Sequence, residues 1–136
     1  MAYITAALQL IQSYLSGKGW FSDVIIGLPA APPETPFAAI FLASGTANLL
    51  TTSTFHRQRE VTVRVYMDVE TQPRDEAELA LDKMVYDIEA ALSADLSLST
   101  TGWVILGDIT EAFDYVTEGN RPFRVADITL PLSYRA

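Results

Sequence analysis

The residue types that carry most enzyme chemistry are scarce in this chain of 136 residues. It has one histidine, His56, and no cysteine, so disulfides, thiolate nucleophiles and zinc-thiolate sites are excluded. Arg57 and Arg59 flank His56 and would repel a metal ion. No serine lies in a G-x-S-x-G turn, and a Ser-His-Asp triad would have to recruit His56 from a weakly anchored loop. We therefore predict no catalytic residue, no metal site, no cofactor and no enzymatic activity.

Carboxylates supply the remaining candidate chemistry, and they occur in groups. One group opens a predicted helix, where Asp75 and Glu78 resemble a capping box and negative charge complements the helix dipole. A later group comprises Asp108, Glu111, Asp114 and Glu118. It lacks the spacing and the glycine of an EF-hand, so a solvated loop is the preferred interpretation and a hard-cation site is the alternative.

Composition and charge limit the class of protein. A hydrophobic content of 49% fits one domain, residues 1–136, with a single core. The formal net charge of −8 argues against tight binding of nucleic-acid phosphates. No apolar run approaches the ~20 residues that a membrane helix needs, and the N-terminus is typical of an amphipathic helix rather than a signal peptide. We therefore expect no membrane partner.

One strand dominates the elements that must position these residues. Residues 57–69 alternate with a period of two, which predicts a long strand with a dry face of valines and a wet face. Arg57 and Arg59 prolong the dry face beyond its apolar residues, which suits pairing with acidic groups of a neighbouring subunit; simple solvation is the alternative. The wet face comprises Gln58, Glu60, Thr62, Arg64, Tyr66, Asp68 and Glu70.

The other elements follow from helical stripes, apolar runs and chain breakers. Amphipathic helices are predicted at 4–15 and 74–94, and four prolines make 29–36 an extended connection. Residues 44–54 are small and polar, which predicts a long hairpin connection or a mobile extension. The remaining strands are predicted at 23–28, 37–43, 102–109, 113–117 and 122–132. The order α-β-β-β-α-β-β-β predicts an α+β fold, an antiparallel or mixed sheet with both helices on one face.

Several ordered segments carry a family resemblance over nearly the whole chain. After the first helix, a proline-rich stretch leads to TPFAAIFLASG (35–45), and a polar loop leads to REVTVRVYMD (59–68). The link ETQPRDEAEL (70–79) opens the second helix, which ends in DIEAALSADLSLS (87–99). The chain closes with DITEAFDYVTEGNRPFRVADITLPLSYRA (108–136). In their joint order and lengths these segments resemble the tail terminator proteins of long-tailed, lambda-like bacteriophages.

The resemblance implies a structural protein of the virion, at the head-proximal end of the tail, assembled in the host cytoplasm. It implies a homo-oligomeric ring, usually a hexamer, that docks on the tail tube protein, stops tube growth and offers a surface to the head-tail connector protein. DNA would pass through the lumen without specific binding, since acidic walls offer phosphates no counter-charge. The candidates for tube or inter-subunit contact are Phe55, His56, Arg57 and Arg59. The candidates for an acidic lumen are Asp108, Glu111, Asp114 and Glu118.

Two other classes of function stay open at this point. Another phage neck or tail-completion ring protein would share the fold type and similar partners. An oligomeric α+β enzyme or small-ligand binder would need a pocket with convergent polar groups, which the sequence does not predict. We also expect residues 44–56 to be mobile in the free subunit and ordered on assembly, because their small polar side chains bury little.

Overall fold

The computed structural model describes residues 4–49, 55–69, 74–94 and 101–135. Within these ranges the elements follow the predicted order, and the predicted α+β class is confirmed. The helices are α1 (Thr5–Ser16) and α2 (Arg74–Ala94). The strands are β1 (Val24–Ile26), β2 (Phe37–Leu49), β3 (Phe55–Asp68), β4 (Trp103–Ile105), β5 (Thr110–Glu118) and β6 (Arg121–Arg135).

The strands form one mixed sheet with three long strands at its centre. Their order is β1-β2-β3-β6, with β5 alongside the first part of β6 and β4 alongside its end. β1 is parallel to β2, and the other pairs are antiparallel. Val63 at the centre of β3 pairs with Ile40 on one side and Ile128 on the other. Short strands therefore occupy both margins of the sheet.

Both helices pack on one face of this sheet, as the sequence predicted. α1 ends at Ser16 with Gly17 as its C-cap, and the hydroxyl of Tyr14 donates to the carbonyl of Ala91 in α2. The core between helices and sheet includes Leu8, Ile11, Leu15, Leu81, Val85, Ile88, Leu92, Val61, Val63, Val65, Ile128 and Leu130. We call this side the helix face. It is the dry face that alternation in β3 and helical spacing in α2 predicted.

The opposite side of the sheet is not wet at the end of β3, where the prediction is wrong. Phe37, Tyr66 and Phe123 are fully buried there, and the Phe37 and Tyr66 rings stack with centroids 4.3 Å apart. Phe123 meets both rings edge-on, at 5.6 Å and 5.3 Å. Glu70, the last residue of the predicted wet face, lies outside the described residues. A second, aromatic core therefore occupies this side.

The proline-rich segment 27–36, which we call the strap, explains this second core. It begins beside β2, where the Gly27 amide donates to the Ile40 carbonyl at 2.8 Å. It reaches the far margin at the β5–β6 turn, where Arg121 donates to the Pro33 carbonyl at 3.3 Å. A Cβ at Gly119 in that turn would lie 2.8 Å from Pro32. Because the strap spans from one margin to the other over the aromatic core, we call this side the strap face.

Residues 44–49 correct another expectation, since they continue β2 as a regular strand. They pair with the start of β3 after a register shift between Leu42 and Ser44, a β-bulge. Polar side chains make the cross-strand contacts: the Ser44 hydroxyl donates to the Glu60 carboxylate at 2.9 Å. We call residues 44–49 and 55–60 the arm. Residues 50–54 lie outside the described residues. The described parts of 44–56 are paired strands, and the mobility expected of this segment stays a prediction.

Candidate subunit interface

The four predicted contact residues lie together on the β3 side of the arm. Phe55 and His56 begin β3, so His56 belongs to a strand rather than to the loop that we expected. Their side chains lie outside what the structure describes. Arg57 and Arg59 follow on the helix face, because they pair with Tyr134 and Leu132 of β6. The prediction that the two arginines prolong the dry face of the strand is therefore confirmed.

Arg59 reaches across the neighbouring strand because Gly45 has no side chain. The two residues pair, and a Cβ at Gly45 would lie 2.7 Å from the arginine Cδ and 2.8 Å from Nη1. Nη1 of Arg59 donates to the carbonyl oxygens of Thr46 at 3.2 Å and Gln58 at 2.8 Å. The guanidinium thus lies over β2, the outer strand of the arm. Sequence analysis missed Gly45, although a lone glycine within a strand signals close approach of another group.

The four acidic candidates do not form one cluster. Asp108 precedes β5, and the other three lie on β5 itself rather than in a solvated loop. Glu111 belongs to the helix face, since it pairs with Ile128. Asp114 and Glu118 point to the strap face, because side chains alternate along a strand. Within one copy the acidic candidates therefore lie on two sides of the sheet, and their place in a lumen stays a prediction.

Glu111 instead approaches Glu89 of α2. Burial raises the pKa of the Glu89 carboxyl to about 7, and a hydrogen bond and like charge from Glu111 add to the shift. Asp82 contributes further negative charge from the same helix. This part of the helix face, next to β5, is therefore electronegative.

A mixed cluster follows along the same margin. The Arg124 guanidinium donates to the Glu78 carboxylate at 2.6 Å and 3.2 Å and lies 4.6 Å from the centroid of the Tyr115 ring. This arginine lowers the pKa of Glu78. Because α2 begins at Arg74, ahead of Asp75, the predicted capping box is wrong, and Glu78 joins the helix to the sheet instead. Sequence analysis did not anticipate this cluster.

A second ion cluster lies on the strap face, where the sequence predicted solvent. Arg64 donates to both carboxylate oxygens of Asp127, at 2.7 Å and 3.0 Å, and its Nη1 is 3.9 Å from Glu118. The hydrogen bonds that Arg64 donates to Asp127 raise the pKa of the guanidinium. Nearby, burial raises the pKa of Tyr66, whose hydroxyl makes no hydrogen bond of ordinary geometry with the described residues. The charged groups of this cluster compensate one another within the fold, and their side chains are only 18–22% exposed.

A small polar pocket lies where the arm meets β6. It encloses about 160 Å³, and its lining includes Ser44, Gln58, Arg59, Glu60 and Ser133. Sites for small organic ligands usually span roughly 300–1,000 Å³, so this volume suits solvent better than a substrate. Among the described residues, no group of three or more histidine, aspartate or glutamate side chains is arranged to hold a metal ion.

The chain matches no protein-family model and no curated protein. Within the described ranges, neither helix is long and apolar enough to cross a membrane.

Proposed function

We propose that this protein is a structural subunit of a phage tail, a terminator that forms a ring on the end of the tail tube. The ordered segments quoted above support the assignment, and the order of helices and strands along the chain fits it. The observation that carries the proposal is the arm. Its described β2 residues 44–47 are all exposed, and arginines rather than apolar residues prolong its helix face.

A terminator has two physical tasks that this arrangement suits. It must bind the open tube end more tightly than an incoming tube subunit does. The face that points away from the tube must not bind further tube subunits. The arm end offers charged groups for the first task, since charge-assisted hydrogen bonds are both strong and directional. The net charge of −8 per copy would let DNA slide through a ring without sticking. The proposal assigns the chain no catalytic role.

The test is electron microscopy of the purified protein mixed with isolated tail tubes. Rings seated on tube ends, with no further tube growth when tube subunits are added, are the expected result. Bare tube ends at saturating protein concentration would overturn the terminator function. Rings that bind isolated connectors but never tubes would favour a different neck protein.

Arg57→Glu is the sharpest variant for the tube contact. We expect rings to form normally but their affinity for tube ends to fall at least about tenfold, because a charge reversal at a desolvated contact acts mainly on dissociation. Lys83→Glu, an equal charge reversal at an exposed position on α2, is the matched control. Normal capping by the Arg57 variant would remove this residue from the tube contact.

A further inference from the structure

Besides the outer edges of the three-residue strands β1 and β4, two longer strand edges of this sheet have no strand partner on their outer side among the described residues. β1 covers only residues 38–40 of β2, so the edge of β2 is open from residue 42 to residue 49. β5 pairs only with β6, which leaves the outer edge of residues 110–118 open. The two open edges are of nearly equal length and lie on opposite margins of one sheet. Unpaired edges are templates for pairing with another chain.

The surface along the open edge of β2 is shaped and charged for a partner. A shallow groove of about 430 Å³ runs along it, lined by residues 42–47 and by Arg59. Gly45 lets the Arg59 guanidinium lie over this edge on the helix face. Leu42 adds an apolar side chain that is 47% exposed. This edge therefore offers a cation, an apolar contact and free backbone groups.

The edge of β5 offers the complementary groups on the same face. Glu111 is a carboxylate beside the electronegative Glu89, and an arriving cation would relieve their mutual repulsion. Phe113 and Tyr115 are large aromatic residues that are 41% and 62% exposed. Carboxylates and aromatic rings are the groups that a guanidinium binds best.

We propose that the open edge of β2 in one copy pairs with the edge of β5 in a second copy of this chain, with Arg59 of the first beside Glu111 of the second. Each copy keeps one free edge of each kind, so the contact is heterologous and propagates head to tail. The inference rests on the proposed function for its closure into a ring. Strand addition supplies backbone hydrogen bonds, and the arginine and its partners supply the match between unlike edges.

The positions of the two edges along the sheet set the geometry of the assembly. β5 lies level with the start of β2, through its pairing with β6 and β3, whereas the open edge occupies the second half of β2. The offset is about eight residues, or roughly 25 Å at the rise of a strand. Copies that pair edge to edge therefore close only if their strands tilt from the ring axis, as strands do in closed barrels. Without that tilt the same contact gives a filament.

Cysteine cross-linking tests the pairing directly, because the chain has no cysteine of its own. When the two edges overlap in full and antiparallel, Thr46 and Ala112 come within about two residues of each other on the strap face. The double variant Thr46→Cys with Ala112→Cys, treated with a short bismaleimide, should give a series of covalent multimers. Each single variant should give no covalent multimer, and a mixture of the two should stop at a covalent dimer.

The outcomes distinguish pairing of β2 with β5 from pairing of two identical edges and from the absence of edge pairing. Dimers from either single variant alone would show that like edges pair, which overturns the proposal. A double variant that gives no covalent multimers at any protein concentration overturns the proposal as well. A series of multimers from a protein that never caps tubes would keep the edge pairing and overturn the tail function. Capped tubes without any cross-link would keep the tail function and overturn the edge pairing.

A charge exchange tests the role of Arg59. Arg59→Glu and Glu111→Arg should each weaken self-association at least about tenfold, and the two together should restore it to within a few-fold. Glu76→Arg, an equal change at an exposed site on α2, is the control and should have no effect. Circular dichroism checks that each variant is folded. If the double exchange stays as weak as the single changes, the two residues do not meet.

Discussion

The two faces of the sheet are built on different principles. The helix face buries many aliphatic side chains under two amphipathic helices. The strap face buries a cluster of five residues, three of them aromatic, on the side that the strap spans. An aliphatic core distributes its stabilisation over many small contacts, whereas an aromatic core concentrates it in a few large ones.

The electrostatics of the two faces also differ. On the strap face, Arg64 meets the carboxylates of Asp127 and Glu118, so charge is compensated within the fold. At the margin of the helix face, Glu89 faces Glu111, a pair of like charge. The charges of the strap face are therefore compensated within the single chain, whereas the margin of the helix face carries negative charge that assembly can compensate. Four experiments test this contrast between the faces.

The largest effect should come from the aromatic core. Phe123→Ala should lower the free energy of unfolding by about 4 kcal/mol, and Ile128→Ala by about 3 kcal/mol. Both residues are fully buried in β6, on opposite faces, so the pair is matched. Denaturant unfolding measures both. A larger loss for Ile128→Ala would show that the strap face is the more tolerant one.

The compensated ion cluster should come next. Asp127→Ala leaves the half-buried Arg64 with Glu118 alone, at 3.9 Å, and should cost about 2 kcal/mol, less than for a fully buried pair. The matched change at the helix face is Glu78→Ala, which breaks the more exposed pair with Arg124 and should cost under about 1 kcal/mol. Equal losses, measured by the same unfolding experiment, would contradict the contrast between the faces.

Removal of a tyrosine hydroxyl should change stability less, and in opposite directions on the two faces. Tyr66→Phe removes a buried hydroxyl that has no hydrogen bond of ordinary geometry, so the free energy of unfolding should stay constant or rise by about 1 kcal/mol. Tyr14→Phe, on the helix side, removes the long hydrogen bond to the Ala91 carbonyl and should lower stability slightly. Thermal unfolding of both variants gives the comparison. A clear loss for Tyr66→Phe would reveal a partner for its hydroxyl.

The last experiment concerns the pH dependence of stability at the helix face. The pKa of Glu89 is about 7 in the folded protein, above its ordinary value of 4.5. Between these values the folded state holds a proton that the unfolded chain has lost, so stability falls as pH rises from about 4.5 to 7 and then levels off. Glu89→Gln should therefore be more stable than the parent at pH 8, by about 1 kcal/mol after allowance for solvent screening. The advantage should vanish near pH 4. An equal difference at both pH values would exclude this titration as the cause.

The comparison of the faces also separates what the sequence predicts from what it does not. The helix face was predictable because each of its elements carries its own periodicity: period two in β3 and β6, and helical spacing in α1 and α2. The strap face was not predictable, because polar and aromatic residues such as Arg64 and Tyr66 are common on the solvent-exposed side of a strand. Their burial depends on the strap, some thirty residues away in sequence, which has no periodicity of its own.

The same distinction holds for the candidate interface. Alternation placed Arg57 and Arg59 on the helix face, and the structure confirms this. The same alternation separates the acidic candidates, because Glu111 and Asp114 lie three positions apart and therefore on opposite faces of β5. The outer strand of the arm, residues 44–49, was missed, since it gains order from cross-strand hydrogen bonds rather than from burial.

Local periodicity and chain breakers in the sequence therefore specify the order of the elements, the fold class and the aliphatic core. The cover of the second face, the pairing of charges and the open strand edges follow only from the folded structure. These features depend on contacts between residues far apart in the chain. Gly45 shows the difference: in the sequence it is a small residue in a polar stretch, and in the folded sheet its missing side chain lets Arg59 lie over an open edge.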